Sequence, residues 1–141
     1  MKTINHECYV SLEVAKLLKQ AGFDWETREY YKPIKEGYKL DWNSLPVNWN
    51  QKVAILIAQK HNHPEGYSAP TLDVAQRWLR EVKGVEVNVL CVYIGNDKKY
   101  SYDAFEGKYN HELIKEGFDT YEEALEAGIK IVLELILEKG E

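Results

Sequence analysis

The chain has 141 residues, 45% of them apolar, with 23 acidic and 18 basic side chains and a formal net charge of −5. This composition is that of a globular protein and excludes a collagen-like, fibrous or wholly disordered chain, and the length predicts a single domain spanning residues 1–141. The acidic balance argues against a protein whose main task is to coat nucleic acid, so we do not expect nucleic acid as the principal partner.

Three helices are predicted from segments that open alike, each with a hydroxyl side chain followed by an acid and an alanine. Ser11, Thr71 and Thr120 are the hydroxyl residues, and each can accept a hydrogen bond from a free backbone N–H at the helix start. The helices are expected over residues 12–21, 72–83 and 121–138, the first two ending at Gly22 and Gly84.

The third helix is apolar around most of its circumference and lies in the most acidic part of the chain, since residues 106–141 carry a net charge of −6. Such a helix is either central to the core or half covered by another subunit. In the second case its interface residues would be Ile129, Leu133 and Leu137. The acidic end is expected to be a solvated helix face, with a docking surface for a basic partner as the alternative.

The clearest strand signal is a hairpin over residues 85–94 and 99–105, joined by turn-forming residues 95–98. The first of these strands begins with alternating apolar residues and becomes apolar on both faces. Residues 25–31 predict a third strand. Residues 32–51 hold two prolines and several asparagines, so no regular element is predicted there. Residues 53–60 suit a helix or a buried strand, of which we favour the helix. Residues 61–70 are predicted to form a loop.

These elements predict an α+β fold, in which a small antiparallel sheet of about three strands packs on one face against three helices. Much of the core is expected from eight side chains on the predicted helices and strands: Trp78, Leu79, Val82, Val87, Val89, Ile131, Val132 and Leu135.

Cys8 and Cys91 lie far apart and in no motif, which indicates free thiols in a reducing cytoplasm. The first residues lack the apolar region of a signal peptide, and the longest apolar stretch, residues 129–137, is too short to cross a bilayer. We therefore expect a cytoplasmic protein that contacts no membrane.

The most metal-like stretch holds His61, His63 and Glu65, because two imidazoles and a nearby carboxylate could share a cation. No second ligand pair follows at a diagnostic spacing, so a solvated loop is the favoured interpretation and no metal or other cofactor is predicted. The chain also lacks a nucleophile elbow, a phosphate-binding glycine loop and a dinucleotide fingerprint, and we do not predict an enzyme.

The aromatic content is unusual, with four Trp and ten Tyr against three Phe. Trp42 and Trp49 flank a loop rich in asparagine, and indole faces beside amides can stack on a sugar or a base. Tyr38 and Tyr67 would widen such a ligand-binding surface. The alternative is that both tryptophans pin a long loop onto the core.

Residues 13–16, with sequence Glu-Val-Ala-Lys, and residues 27–31, with sequence Thr-Arg-Glu-Tyr-Tyr, resemble the helix-turn-helix opening of MerR-type regulators. The resemblance implies DNA binding. A DNA-binding accessory protein of this sequence would use Arg28, Arg77, Arg80 and Lys83. The chain departs from the family because more residues separate Lys16 from Gly22 than the family turn allows, and Arg28 stands one place early.

Residues 9–18, 68–81 and 119–129 resemble small uncharacterised proteins carried by phages and prophages of gut bacteria. The resemblance implies a mobile-element context and a non-enzymatic accessory role. We therefore predict a small non-catalytic interaction protein that binds an unidentified protein or a second copy of itself. A ligand-binding module and a DNA-binding accessory protein are the alternatives.

Overall fold

The computed structural model describes residues 8–51, 66–106 and 112–139, and the predicted α+β fold is confirmed. The chain divides into two compact units. The N-terminal unit is Tyr9–Thr71, and the C-terminal unit is Leu72–Glu141 together with Met1–Cys8. Each unit holds a three-stranded antiparallel sheet, where the sequence predicted one sheet in all. In the described part of the chain, no helix is long and apolar enough to cross a membrane.

The N-terminal unit begins with helix α1 (Leu12–Gln20), at the place the sequence predicts. The Ser11 hydroxyl accepts a hydrogen bond from Val14 N at 3.2 Å, and Gly22 follows the helix with a φ of 96°, which favours glycine. Three strands follow, β1 (Thr27–Ile34), β2 (Gly37–Val47) and β3 (Tyr67–Ser68), with β1 in the middle of the sheet. The buried face of α1 and the residues on either side of it form the core of this unit, with Val10, Val14, Ala15, Leu18 and Phe23 all buried.

Strand β2 occupies residues for which the sequence indicated no regular structure. Pro46 is tolerated because β2 is an edge strand, where a missing N–H need not remove a ladder bond. Pro33 is tolerated in β1 because β3 pairs with that strand only at Tyr30 and Tyr31. Strand β1 confirms the strand predicted over residues 25–31, and the prolines and asparagines hid only β2 and the end of β1 from a reading based on turn-forming residues. The short strand β3 likewise lies in a predicted loop, and the predicted element at residues 53–60 lies outside the described residues.

The C-terminal unit begins with helix α2 (Leu72–Trp78), which continues as a π-helical turn (Leu79–Lys83) and ends at Gly84 with a φ of 70°. Strands β4 (Val85–Ile94), β5 (Asp97–Glu106) and β6 (Glu112–Phe118) form its sheet in the order β4-β5-β6. The predicted hairpin is confirmed, with Ile94 opposite Asp97. Strand β6 was not predicted.

Helix α3 (Tyr121–Glu138) has the predicted bounds, and its first turn is capped by the Thr120 hydroxyl, which accepts from Glu123 N at 3.1 Å. The helix lies against the sheet at Gly128. A Cβ atom at Gly128 would stand 2.8 Å from Val87 Cγ1, closer than real Cβ atoms approach, and 3.1 Å from Tyr102 Cβ, which is a tight contact. Helix α3 therefore covers the sheet face that carries Val87 and Tyr102.

Half of the predicted core is confirmed, since Trp78, Leu79, Val87 and Val132 are buried. Val82 is exposed instead, because the π-helical turn holds more residues per turn than an α-helix and shifts the predicted apolar face. The remaining predicted core residues, which are only half-buried, are Val89, Ile131 and Leu135.

Candidate functional site

The structure separates the two tryptophans that the sequence placed on one loop. The Trp49 ring stacks on Tyr30 with the ring centroids 3.8 Å apart, and its Nε1 donates to Thr27 O at 2.9 Å. Trp42 pairs across the strands with Glu29, the neighbour of Tyr30, so Trp42 and Trp49 lie on opposite faces of the sheet. Trp49 anchors its loop, as the alternative interpretation expected, and Trp42 is 40% exposed.

Tyr38 and Tyr67 do come together, with ring centroids 5.4 Å apart. The ammonium of Lys16 lies 5.5 Å from the Tyr38 ring centroid and 5.9 Å from that of Tyr67, and the ammonium of Lys19 lies 5.1 Å from that of Tyr67. We call these four half-buried residues the lysine–tyrosine cluster. Sequence reasoning named the tyrosines and missed the lysines, whose signal is their spacing of three residues on one helix.

The helix-turn-helix that the resemblance to MerR-type regulators implied is wrong, and the strand predicted over residues 25–31 is confirmed as β1. Residues 22–26 after α1 have no helical structure, and Arg28 is an exposed residue of strand β1. The physical reason is that Thr27, Tyr30 and Tyr31 suit a pleated sheet, where their side chains pack on both faces. The recognition helix that the resemblance implied is absent from this described stretch.

The other three predicted nucleic-acid contacts lie on α2 and the turn after it. Arg77 Nε forms an ion pair with Glu81 Oε2 at 2.8 Å, and the Lys83 ammonium lies 5.7 Å from the Trp78 ring centroid. Arg80 is exposed. Because the negative charge of Glu81 neutralises the positive charge of Arg77 beside it, these residues do not form a strongly basic surface.

Two of the three predicted interface residues are fully buried within the C-terminal unit. Ile129 and Leu133 are 0% exposed, and Leu137 is half-buried. A dimer interface on these two side chains is therefore ruled out, since they already fill the core. The exposed side of α3 carries Glu134 and Glu138 instead.

The opposite face of the C-terminal sheet carries a group of exposed apolar side chains. Directly paired residues share a face, so Asn88, Asp103 and Ile114 form one row on the side away from Val87 and Tyr102. Leu90 and Ile94 follow Asn88 at two-residue intervals and share this side. Leu90 is 52% exposed, Ile94 49% and Ile114 58%. We call this surface the open face, and its apolar members are Leu90, Val92, Ile94, Phe105 and Ile114.

A carboxylate lies among these apolar side chains. Asp103 Oδ1 is buried and has no hydrogen-bond partner among the described residues. Lys99 shares the open face, but its ammonium is paired with Asp119, and this hydrogen bond raises the pKa of Lys99. The open face thus combines exposed apolar groups with an unsatisfied carboxylate oxygen. Sequence reasoning missed this site.

Two tyrosines, one in each unit, have perturbed acidity. Burial raises the pKa of Tyr30, and the nearby charge of Asp41 raises it further. Burial alone raises the pKa of Tyr102. Both hydroxyls therefore stay neutral to higher pH than an exposed tyrosine does.

The remaining predicted site residues supply no further cluster. Cys8 and Cys91 are exposed free thiols. The described residues hold no group of three His, Cys, Asp or Glu side chains arranged for a metal ion, and His61, His63 and Glu65 lie outside them. Comparisons of the chain with protein-family models, with curated proteins and with solved structures found no match.

Proposed function

We propose that the protein is a non-catalytic interaction protein whose C-terminal unit binds a partner protein through the open face. The observation that carries this proposal is the exposure of Leu90, Ile94 and Ile114 on one sheet face. Single exposed apolar residues are ordinary, but apolar residues grouped on one face are typical of binding surfaces. An antiparallel sheet normally places polar residues on its uncovered face.

The proposal also includes a cellular location and a phage context, which the sequence suggests. The resemblance to phage-borne accessory proteins supports a cytoplasmic protein that acts in cells carrying a phage or prophage. The partner is then a protein present in those cells, and association does not need a cofactor.

Site-specific photo-crosslinking tests this function. A photo-reactive phenylalanine analogue at position 114 or 90 samples the open face, and the same analogue at position 134 samples the exposed side of α3. We expect discrete cross-linked adducts in cells from positions 114 and 90 and none from position 134. Adducts of equal yield from all three positions, or from none, would contradict the proposal.

A second function, recognition of an anionic small molecule, is supported by the lysine–tyrosine cluster. Two ammonium groups within 6 Å of one tyrosine ring centroid can offer charge to a phosphate or carboxylate, while the rings offer apolar contact. Titration with a nucleoside monophosphate and with the matching nucleoside tests it. Tighter binding of the phosphate form, lost in the Lys16→Met variant and kept in a Lys35→Met control, is the expected result. Equal binding of both compounds would overturn it.

A further inference from the structure

We infer that two copies of the chain pair through the outer edge of β4, antiparallel about a two-fold axis at Cys91, so that their C-terminal sheets join into one continuous sheet. This inference goes beyond the proposed function, because it concerns an edge of the sheet and not its open face. Its starting point is the position of β4 at the end of the sheet order β4-β5-β6. An edge strand presents a row of backbone N–H and C=O groups that a further strand can bind, and proteins normally protect such a row.

The other edge strands of the two sheets carry features that prevent pairing, and β4 does not. Strand β2 contains Pro46, and β3 is two residues long. Strand β6 carries the exposed charges of Lys115 and Glu116, and its register against β5 shifts along the strand. Prolines, short strands, charges and bulges all discourage edge-to-edge pairing. Residues 87–94 of β4 hold no proline, no glycine and no charged side chain, so β4 is the unprotected edge among the described strands.

The hydrogen bonding of β4 shows which of its backbone groups point outward. Ile94 pairs with Asp97 across a two-residue turn, and such a closing pair exchanges hydrogen bonds within the hairpin. Because this bonding alternates along an antiparallel strand, the even-numbered residues of β4 point their backbone groups at β5 and the odd-numbered ones point outward. The Gln76 side chain agrees with this alternation, since its Nε2 donates to Val87 O at 2.6 Å. Beyond Val87, three outward-directed residues pair with no other strand in the described part of the chain: Val89, Cys91 and Tyr93.

The limits of this free edge select a second copy of β4 as the occupant. Gln76 closes the edge at Val87 and the turn closes it at Gly95, so the free length is centred on Cys91. A two-fold axis at Cys91 sets Val89 of each copy opposite Tyr93 of the other, and the three bonded pairs supply about six hydrogen bonds. A shifted alignment sets Tyr93 against Val87 or Val89 against Gly95, and loses one pair. Self-pairing also requires that no like charges meet across the axis, and residues 87–94 carry none.

The side chains of β4 also gain contacts from this pairing. Leu90 and Ile94 are both exposed in the single chain. In the centred alignment Leu90 lies opposite Val92 of the other copy and Ile94 lies opposite its Asn88, so each is partly covered by a cross-strand neighbour. The open faces of the two copies then form one surface. Because β6 at the far edge is protected, the assembly closes at two copies and does not extend into a filament.

A charge swap at the exposed Cys91 tests the inference by sedimentation equilibrium. The full chain should sediment at twice its monomer mass of 16.4 kDa. Cys91→Lys and Cys91→Asp each place like charges opposite one another across the axis, and each should weaken self-association by about tenfold or more. An equimolar mixture of the two variants should restore the dimer, because lysine then faces aspartate. Glu116→Lys, on the protected edge strand β6, is the matched control and should leave the dimer unchanged.

Three results of this experiment would overturn the inference. A full chain that stays a monomer at the concentration of an NMR sample shows that the edge does not pair. A dimer that persists in both Cys91 variants, or a mixture that stays monomeric, shows that Cys91 does not lie at the axis. Assemblies larger than a dimer show that the pairing does not close. These results concern β4 alone, and the adducts expected from position 114 remain a separate test of the proposed function.

Disulfide cross-linking measures the alignment without a charge in the strand. In the Cys8→Ser variant Cys91 is the one remaining thiol, and the axis brings its two copies to about 5.5 Å between Cα atoms, within the range of a disulfide. The matched control is a Cys8→Ser, Cys91→Ser, Tyr93→Cys variant, whose two thiols lie about 13 Å apart along the strands. Under a mild oxidant we expect the Cys91 thiols to link about tenfold faster or more than the control thiols. Equal rates would overturn the inference, because random collision would explain them.

Discussion

The two units have the same plan, a three-stranded antiparallel sheet with a helix on one face, and they differ in how they treat the second face. In the N-terminal unit the loop after β2 returns to the sheet, where Trp49 stacks on Tyr30 and its backbone N–H donates to Ser68 Oγ at 3.0 Å. In the C-terminal unit the second face keeps Leu90 and Ile114 exposed. One sheet therefore uses its own chain to cover apolar surface, and the other has apolar surface available for a partner.

The largest effect on stability that we expect comes from truncating a core residue of helix α3 in the C-terminal unit. Leu133 fills the core under α3, so Leu133→Ala should lower the free energy of unfolding by about 3 kcal/mol, as buried leucines do when truncated. Leu137, one turn further along and half-buried, is the matched control and should cost less than about 1.5 kcal/mol on truncation. Urea unfolding followed by tryptophan fluorescence measures both. Equal effects would mean that α3 does not pack in this orientation.

The next effect tests whether the N-terminal sheet is covered by its own loop. Trp49→Ala removes a stacked ring and the hydrogen bond to Thr27 O, and should cost about 2 kcal/mol of unfolding free energy. Trp42→Ala removes an indole on the other face that is 40% exposed, and should cost about 1 kcal/mol or less. Denaturant unfolding of the two variants distinguishes them. A reversed order would contradict the difference between the faces.

Some elements of both units could be predicted from the sequence alone. The bounds of α3 follow from an apolar helical face, and the hairpin that begins at residue 85 follows from the turn-forming residues 95–98. Both are local signals. The open face could not be predicted, because the apolar run at residues 90–94 looks the same whether its second face is buried in the same chain or exposed. Strand β6 was missed for a related reason, since Ile114, Lys115 and Glu116 are all exposed.

The candidate sites show the same limit. Tyr38 and Tyr67 were named from composition, but only the fold brings Lys16 and Lys19 over their rings. The helical face of residues 79–83 was mispredicted because a π-helical turn has no simple sequence pattern.

A smaller effect compares the helix caps, one in each unit. Ser11→Ala and Thr120→Ala each remove a side-chain acceptor for a backbone N–H at a helix start, and should each cost about 1 kcal/mol. Ser44→Ala, at an exposed strand position, should change the unfolding free energy by less than about 0.5 kcal/mol. Unfolding curves in urea measure all three. A Ser44 effect as large as either cap effect would contradict the capping role.

The smallest effect is a dependence on alkaline pH. The pKa of Tyr30 and that of Tyr102 are raised in the folded chain, so each hydroxyl contributes stability that is complete below its ordinary pKa and is lost as the pH rises through the raised value. We expect the urea midpoint to fall above about pH 10. Tyr30→Phe should reduce this fall, and so should Tyr102→Phe. An unchanged fall in both variants would show that other groups cause it.

The central claim is that the C-terminal unit holds the partner surface, and NMR spectroscopy of the isotope-labelled full chain tests it most directly. Titration with a leucine-rich amphipathic peptide should shift the backbone amide signals around Leu90, Ile94 and Ile114, and those of the lysine–tyrosine cluster should stay in place. Shifts concentrated at Lys16 and Tyr67, or spread evenly over both units, would contradict the claim.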